Sequence, residues 1–205
     1  MKKRVLVACE YSGTVRDAFS RLGWDAWSCD VIPTESELTI QEGKHIQADV
    51  LTVLHDNWDL MIGHPPCNKI AYSGMNVWNN PGRSFSRLES LKFFAELWEA
   101  PIPHICLENP KSCASPVIAK YSQQIQPYYF GDPQMKTTWL WLKNLPLLQH
   151  THVLPKPSPT SVESSGKKRY YSDSKIRDPK ERARFWPGIA DAMARQWTDY
   201  INQLA

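Results

Sequence analysis

The stretch RVLVACEYSGTVRDAFSRLG, residues 4–23, begins with a short apolar run and ends with helical spacing. Residues 4–9 are rich in valine and flanked by polar residues, which is typical of a buried strand. After the small residues of EYSG (10–13), apolar side chains recur every three to four positions over residues 15–22, and Gly23 is a typical helix stop. The stretch therefore predicts a strand, a tight turn and a helix, the unit from which α/β sheets are built.

Later segments repeat the strand signal. The predicted parallel strands are WDAWSCD (24–30), HIQADV (45–50), WDLMIGH (58–64) and HICLENP (104–110). Two more strands are predicted in the segments SQQIQPYY and KTTWLWLKNL. We expect these two strands to be antiparallel, because the link between them is too short for a crossover helix. The expected fold class is α/β, with a mostly parallel sheet and an antiparallel C-terminal hairpin.

Two amphipathic helices are predicted besides the first. Residues 84–99 carry apolar groups at helical spacing, with Ser86 and Glu89 placed as a capping box. A last helix is expected from about Gly188 to Leu204. Between these helices, residues 146–184 are rich in Pro, Ser and Lys and lack sustained periodicity, which predicts an extended loop.

Length and composition favour a single domain over residues 1–205, since 205 residues with 42% hydrophobic content suffice for one core. No run approaches the roughly 20 apolar residues of a membrane helix. The start runs directly into a strand without a signal-type cleavage region, so we expect a cytoplasmic protein. The five cysteines include no C-x-x-C pair, which predicts reduced thiols and no metal site.

Positive charge is concentrated in one segment. The formal net charge is only +3, but residues 156–184 hold nine Lys or Arg against four acids, a local net charge of +5. Such a segment is typical of contact with nucleic acid, although a run of charges also occurs on solvated surfaces.

Polar or small residues follow each predicted parallel strand. EYSG follows the first strand, Asp30 ends the second, Asp49 lies in the third, Cys67 follows the fourth, and Glu108 lies in the fifth. Each has an ordinary structural explanation by itself, as a buried thiol or a turn residue. Ligands of parallel sheets gather at the carboxyl ends of the strands, so the order of these residues indicates one site.

In this order the motifs resemble those of the DNA cytosine C5-methyltransferases. The matching segments are EYSG (10–13), Asp30, ADV (48–50), PPCN (65–68), ENP (108–110), QMKTT (134–138) and FWPGIADAMARQW (185–197). The resemblance implies a Rossmann-like S-adenosylmethionine-dependent methyltransferase fold. It also implies methyl transfer to C5 of cytosine in DNA, with a place in a phage or a restriction-modification system.

The resemblance assigns a role to each matched residue. It implies that Cys67 is the catalytic nucleophile and that Glu108 is the acid at cytosine N3. The implied S-adenosylmethionine-binding residues are Tyr11, Ser12, Gly13, Asp30, Val31, Asp49, Val50 and Pro66, with Asp30 at the ribose and Asp49 near the adenine amine. The expected DNA-contacting residues are Asn109, Lys136, Thr138, Arg83, Lys167, Lys168 and Arg169. The loop 71–84 around Trp78 is a candidate lid over the DNA.

The chemistry itself explains these residue types. Cytosine C5 is a poor nucleophile, so a thiolate must first add at C6 to make C5 enamine-like. A carboxylic acid at N3 removes the charge that develops on the ring. A target cytosine within a duplex must also be flipped out of the stack.

Several positions depart from the family pattern. Thr14–Val15 replaces the second glycine of the first motif, Lys136 and Thr138 replace two arginines, and WPG replaces a Gly-Asn pair. The large target-recognition domain is replaced by the loop 146–184. We therefore expect short or loose recognition, or recognition supplied by a homodimer or a partner protein.

Three alternatives remain open. HPPC echoes the motif of amino-methyltransferases, but His64 and Cys67 replace the acceptor and the stacking ring of that motif. The fold also suits an inactive nucleic-acid-binding or anti-restriction protein. A third alternative keeps the chemistry but acts on RNA or a nucleotide, or uses another one-carbon donor. His64 is either a helper in the site or a structural residue.

Overall fold

A seven-stranded sheet forms the centre of the computed structural model, which describes residues 2–166, 168–170, 178, 181 and 184–204. The strands are β1 (Arg4–Ala8), β2 (Asp25–Asp30), β3 (His45–Gln47), β4 (Leu60–Gly63), β5 (His104–Pro110), β6 (Gln123–Ile125) and β7 (Thr138–Lys143). Their order across the sheet is β3-β2-β1-β4-β5-β7-β6. The first five strands are parallel, and β7 runs antiparallel to both β5 and β6. The predicted fold class is confirmed.

Helices cover both faces of the sheet. They are α1 (Thr14–Arg21), α2 (Glu37–Glu42), α3 (Arg83–Trp98), α4 (Ala114–Val117) and α5 (Pro187–Gln203). One buried cluster joins β1 and β4 to α1 and α5, with Phe19 and Trp197 among its largest members. The other lies under α3, where Phe94 packs edge-on against Trp141 with 5.1 Å between ring centroids. Burial on both faces explains why the central strands β1 and β4 are nearly continuous apolar runs rather than alternating ones.

Two local predictions differ from the structure. The capping box at Ser86 and Glu89 is wrong, because α3 begins about one turn earlier, at Arg83, and its N-cap residue is Gly82, which has a φ of 77°. Ser86 lies inside the helix and its hydroxyl donates to the Gly82 carbonyl at 3.2 Å. The short helix α2 was not predicted, since its six residues are too few for a periodicity signal, although Ser36 caps it by accepting from the Thr39 N–H at 3.1 Å.

The segment 146–184 contains little regular structure where it is described. Two-residue strands, β8 (Ser161–Val162) and β9 (Lys168–Arg169), pair in a small antiparallel hairpin. Lys167 and several other cations of the segment lie outside the described residues.

No described helix has the length and apolar character to span a membrane. No cluster of three or more His, Cys, Asp or Glu suited to a metal ion occurs among the described residues.

Candidate active site

The residues predicted for catalysis and cofactor binding lie at or near the carboxyl edge of the sheet. Strand β1 pairs with both β2 and β4, and β4 pairs with β5, so the segments after these strands meet above the middle of the sheet. The strand order reverses direction at β1, where the chain moves outward to β2 and β3 and then returns to β4. Crevices at such a switch point are the usual ligand sites of open α/β sheets.

A cavity of about 240 Å³ opens at this edge. It brings together five of the eight predicted cofactor residues, namely Asp30, Val31, Asp49, Val50 and Pro66. Its remaining lining residues are Cys9, Cys29, Ala48 and Phe93. Tyr11, Ser12 and Gly13 are not among its lining residues. The cavity thus combines two carboxylates with largely apolar walls.

Each carboxylate of the cavity is anchored by its own turn. Asp30 Oδ1 accepts from the Ile32 N–H at 3.2 Å. Asp49 Oδ1 accepts from the Leu51 N–H at 3.0 Å and begins the 3₁₀ turn Val50–Val53. These hydrogen bonds hold both acids at the cavity, where they are available to accept hydrogen bonds from a ligand.

Two thiols that sequence reasoning missed form part of the cavity wall. Burial raises the pKa of Cys29 to about 11 and raises the pKa of Cys9 further. Both side chains are therefore neutral at physiological pH and contribute soft apolar surface. Cys9 has a φ of 59°, which L-residues rarely adopt, as the backbone turns from β1 into the EYSG segment.

The EYSG turn is shaped by close packing against the loop before α2. Gly13 has a φ of 72°, which favours glycine. A Cβ at this position would also lie 2.4 Å from the Ser36 Cβ, so there is no room for a side chain. The Tyr11 carbonyl accepts from the Glu35 N–H and the Thr34 hydroxyl, both at 2.9 Å. Tyr11 is largely buried, and burial raises the pKa of its phenol.

Glu10, which was not singled out from the sequence, is a buried acid at the start of α1. Its Oε1 accepts from the Val15 N–H at 2.8 Å and its Oε2 from the Arg16 N–H at 3.1 Å. These bonds satisfy two of the unpaired N–H groups that every helix presents at its first turn. Burial raises the pKa of Glu10, while the His64 charge and the two N–H groups act in the opposite direction.

Cys67 lies in a tight turn beside the cavity. Its carbonyl accepts from the N–H groups of Ile70 and Ala71 at 3.1 and 2.9 Å. The thiol is partly buried and forms no disulfide. A second cavity of about 350 Å³ lies between this turn and α3, and Pro66 and Phe93 line both cavities. The two spaces therefore meet at the residue that precedes Cys67.

Glu108 lies one strand away from this turn, on β5. Its Oε2 is 3.3 Å from His64 Nδ1, and both side chains are 13% exposed. Asn109 is almost fully buried, and its Nδ2 donates to the Pro65 carbonyl at 2.8 Å. Asn109 thus ties β5 to the Pro-Pro-Cys turn, while its contact with DNA remains a prediction.

The other predicted DNA-contacting residues lie elsewhere. Thr138 is 1% exposed and its hydroxyl donates to the Lys136 carbonyl at 3.2 Å, so it faces the interior rather than an open surface. Lys136 is half-buried just before β7, and Arg83 begins α3. Lys168 is exposed on β9, whereas Arg169 forms an ion pair with Glu163 at 2.6 Å. Lys167 falls outside the described residues.

The candidate lid contains the 3₁₀ turn Tyr72–Val77 and leads into α3. Trp78 is half-buried there, and the Arg87 guanidinium lies 4.8 Å from its ring centroid. Arg87 was not singled out from the sequence, because only the helical turn before it brings it against Trp78. Closure of this loop over DNA remains a prediction.

Comparison with known proteins finds no matching family model and no matching curated protein. Among solved structures, a methyltransferase of Entamoeba histolytica is similar at 18% identity and a TM-score of 0.50, over 80% of this chain and 62% of that one. A protein described as a DNA modification methyltransferase encoded within an E. coli prophage matches at 14% identity and a TM-score of 0.45, over 82% and 59%. The chain thus spans about three fifths of the length of these structures. The order of the strands and the likeness to the Entamoeba histolytica structure show a Rossmann-like fold of the kind found in methyltransferases.

Proposed function

We propose that the protein transfers a methyl group from S-adenosylmethionine to C5 of cytosine in DNA, through a covalent bond between Cys67 and cytosine C6. One observation carries the proposal. The cavity that holds Asp30 and Asp49 shares Pro66 with the turn that presents Cys67, and Glu108 lies on the neighbouring strand. The cavity, Cys67 and Glu108 therefore lie at the same edge of the sheet, which supports their proposed roles as binding site, nucleophile and acid.

The cavity suits the adenosine part of the cofactor. Val31, Val50 and Phe93 offer apolar surface for a flat heterocycle. Asp30 would accept hydrogen bonds from the ribose hydroxyls, and Asp49 would accept one from the adenine amine. When bound, S-adenosylmethionine supplies an electrophilic methyl group. Tyr11, Ser12 and Gly13 are proposed to lie beside the rest of the cofactor, beyond this cavity.

The chain's own residues perform the activation of cytosine. The Cys67 thiolate forms a bond to C6 while Glu108 gives its proton to N3, which leaves C5 nucleophilic. After C5 has gained its methyl group, a base removes the C5 proton, the bond between C6 and sulfur breaks, and the N3 proton returns to Glu108. The Cys67 thiolate and the protonated Glu108 are thereby regenerated.

The first test identifies the modified base and its site. DNA from cells that express the protein is sequenced for 5-methylcytosine and compared with DNA from cells that express Cys67→Ala. We expect modified cytosines in a short sequence context with the unmodified protein only. RNA from the same cells is analysed in parallel, and modification confined to RNA would contradict the assignment of DNA as the substrate.

The second test traps the covalent step. An oligonucleotide that carries 5-fluorocytosine at the identified site should form a denaturation-resistant adduct in the presence of S-adenosylmethionine, because fluorine cannot leave C5 as a proton does. Cys67→Ala should form none, whereas the control variant Cys113→Ala should form it, since Cys113 is a buried thiol outside the Pro-Pro-Cys turn. An adduct with Cys67→Ala would refute the assignment of the nucleophile.

A further inference from the structure

The His64 ring is enclosed at the carboxyl end of β4. Its Nδ1 lies 3.3 Å from Glu108 Oε2, and its ring centroid is 4.7 Å from the ring centroid of Phe185. The other nitrogen, Nε2, is buried and has no hydrogen-bond partner among the described residues. Among the described residues, the side chain of Glu108, the proposed catalytic acid, is therefore the one hydrogen-bond partner of the ring.

A second acid, Glu10, lies near the same ring but is committed elsewhere. Both of its carboxylate oxygens accept backbone N–H groups of α1. It therefore does not compete with Glu108 for a hydrogen bond to the ring. Phe185, which packs on the ring, contributes no charge. Among the described residues, Glu108 alone is left to select which His64 nitrogen bears a proton.

The two neutral tautomers of the His64 ring differ in stability. If Nε2 carries the proton, a buried N–H donor has no partner, and Nδ1 must draw the Glu108 proton toward itself. If Nδ1 carries the proton, it donates to Glu108 Oε2, and only an acceptor lone pair at Nε2 goes unmatched. Unpaired buried N–H donors are rarer than under-used acceptors, so the second form is favoured.

We propose that His64 is a positioning residue whose Nδ1–H donates to Glu108 Oε2 and thereby leaves Oε1 as the oxygen that carries the proton for cytosine N3. This inference rests on the proposed function. His64 neither gains nor loses a proton in the cycle, because the proton passes from Oε1 to N3 and back. Its contribution is to fix the orientation of the acid, as partners of catalytic side chains commonly do.

The inference can be tested without an activity assay. Long-range ¹H–¹⁵N correlation of histidine-labelled protein distinguishes the two neutral tautomers, and His64 is assigned as the signal that is missing in His64→Asn. At about pH 8, where histidine is normally neutral, we expect the Nδ1–H form. We also expect this preference to weaken in Glu108→Gln, which keeps the shape of the acid. A ring in the Nε2–H form would overturn the proposal, whether or not the protein methylates DNA.

Kinetics then test the consequence for the acid. His64→Leu removes the donor and should lower kcat about 10-fold to 100-fold, at the lower end of the range for general acid catalysis, with cofactor affinity unchanged. His64→Asn keeps an amide N–H near the position of Nδ1 and should retain most of the activity. In a Glu108→Gln background, His64→Leu should cost less than about twofold more, because the residue it serves is already lost.

The outcomes separate the two claims. Fully additive losses in the double variant would overturn the positioning role, as would an inactive His64→Asn protein that folds and binds cofactor normally. If the unmodified protein forms no adduct and methylates no DNA, yet shows the Nδ1–H tautomer, the proposed function fails while the arrangement of the pair stands. If it methylates DNA and His64 is in the Nε2–H form, the proposed function stands while the positioning role fails.

Discussion

Asp30 illustrates how a single residue of the site is defined by its place on the sheet. It is the last residue of β2, and the register pairs it with Gln47, two positions before Asp49 on the neighbouring chain segment. Both acids therefore reach the same cavity from adjacent strands. Strand β2 is paired with β1 whereas β3 is not, so Asp30 lies nearer the middle of the sheet than Asp49 does.

Replacement of Asp30 by Asn should weaken cofactor binding without unfolding the protein. Hydrogen bonds to a charged group contribute about 1.5–3 kcal/mol, so we expect Kd for S-adenosylmethionine to rise by about 10-fold to 100-fold. Isothermal titration calorimetry measures this change. Asp199→Asn, an exposed acid on α5, is the matched control and should leave Kd unchanged. Equal affinities for the Asp30 variant and the unmodified protein would remove Asp30 from the cofactor site.

At the scale of single residues, the sequence predicts those site residues whose position is set by the strand that precedes or contains them. Asp30, Val31, Asp49, Val50 and Pro66 all lie at or shortly after strand ends, and strand ends converge in a parallel sheet. Glu10 and His64 could not be assigned in this way, because their partners come from other elements. The available signal was weak: Glu10 precedes the EYSG tyrosine, and His64 directly precedes Pro-Pro-Cys.

Among the elements, α5 is joined by its first turn to the connection between β6 and β7. The Gly188 N–H donates to Asp132 Oδ2 at 2.9 Å, and burial raises the pKa of Asp132. Phe185, just before the helix, packs on His64. The sequence predicts this helix from its periodicity, but the contact of its first turn with Phe130 and Asp132 joins positions more than 50 residues apart and leaves no local pattern.

Gly188→Ala should therefore destabilise the protein. A Cβ at this position would lie 2.0 Å from the Phe130 carbonyl oxygen, and backbone cannot move aside as a side chain can. Overpacking of this kind costs about 1–3 kcal/mol, which urea unfolding would detect as a lower midpoint. Gly74→Ala is the control, because its nearest neighbour, the Asn68 carbonyl oxygen, lies at an ordinary 3.7 Å. Equal midpoints for the two variants would show that α5 shifts freely.

At the scale of the whole molecule, the basic segment 156–184 is partly neutralised by the fold. Arg169 pairs with Glu163, and Arg184 pairs with Glu35 at 2.6 Å, which ties the end of the segment to the loop after β2. Lys168 stays exposed. The count of cations in the sequence therefore overstates the charge available to a partner, because ion pairs across the fold are invisible in the linear pattern.

This distribution of charge sets the expected salt dependence of DNA binding. Each phosphate contact adds about 0.9 to the slope of log affinity against log salt concentration. Replacing Lys167, Lys168 and Arg169 together by Ala should lower the slope on a nonspecific duplex by about two units, since Glu163 already offsets Arg169. Lys168→Ala alone should lower the slope more than Arg169→Ala does. Lys92→Ala, an exposed cation on α3, is the control.

The same variants separate positioning from sequence recognition. Phosphate contacts carry no sequence information, so the triple variant should weaken binding to all duplexes about equally and leave the set of modified cytosines unchanged. With so little chain available to contact base edges, we expect a recognition sequence of about two to four base pairs. An unchanged salt slope would show that the segment is only solvated. It would also move the DNA contact to the loop around Trp78 and Arg83, or to a second subunit.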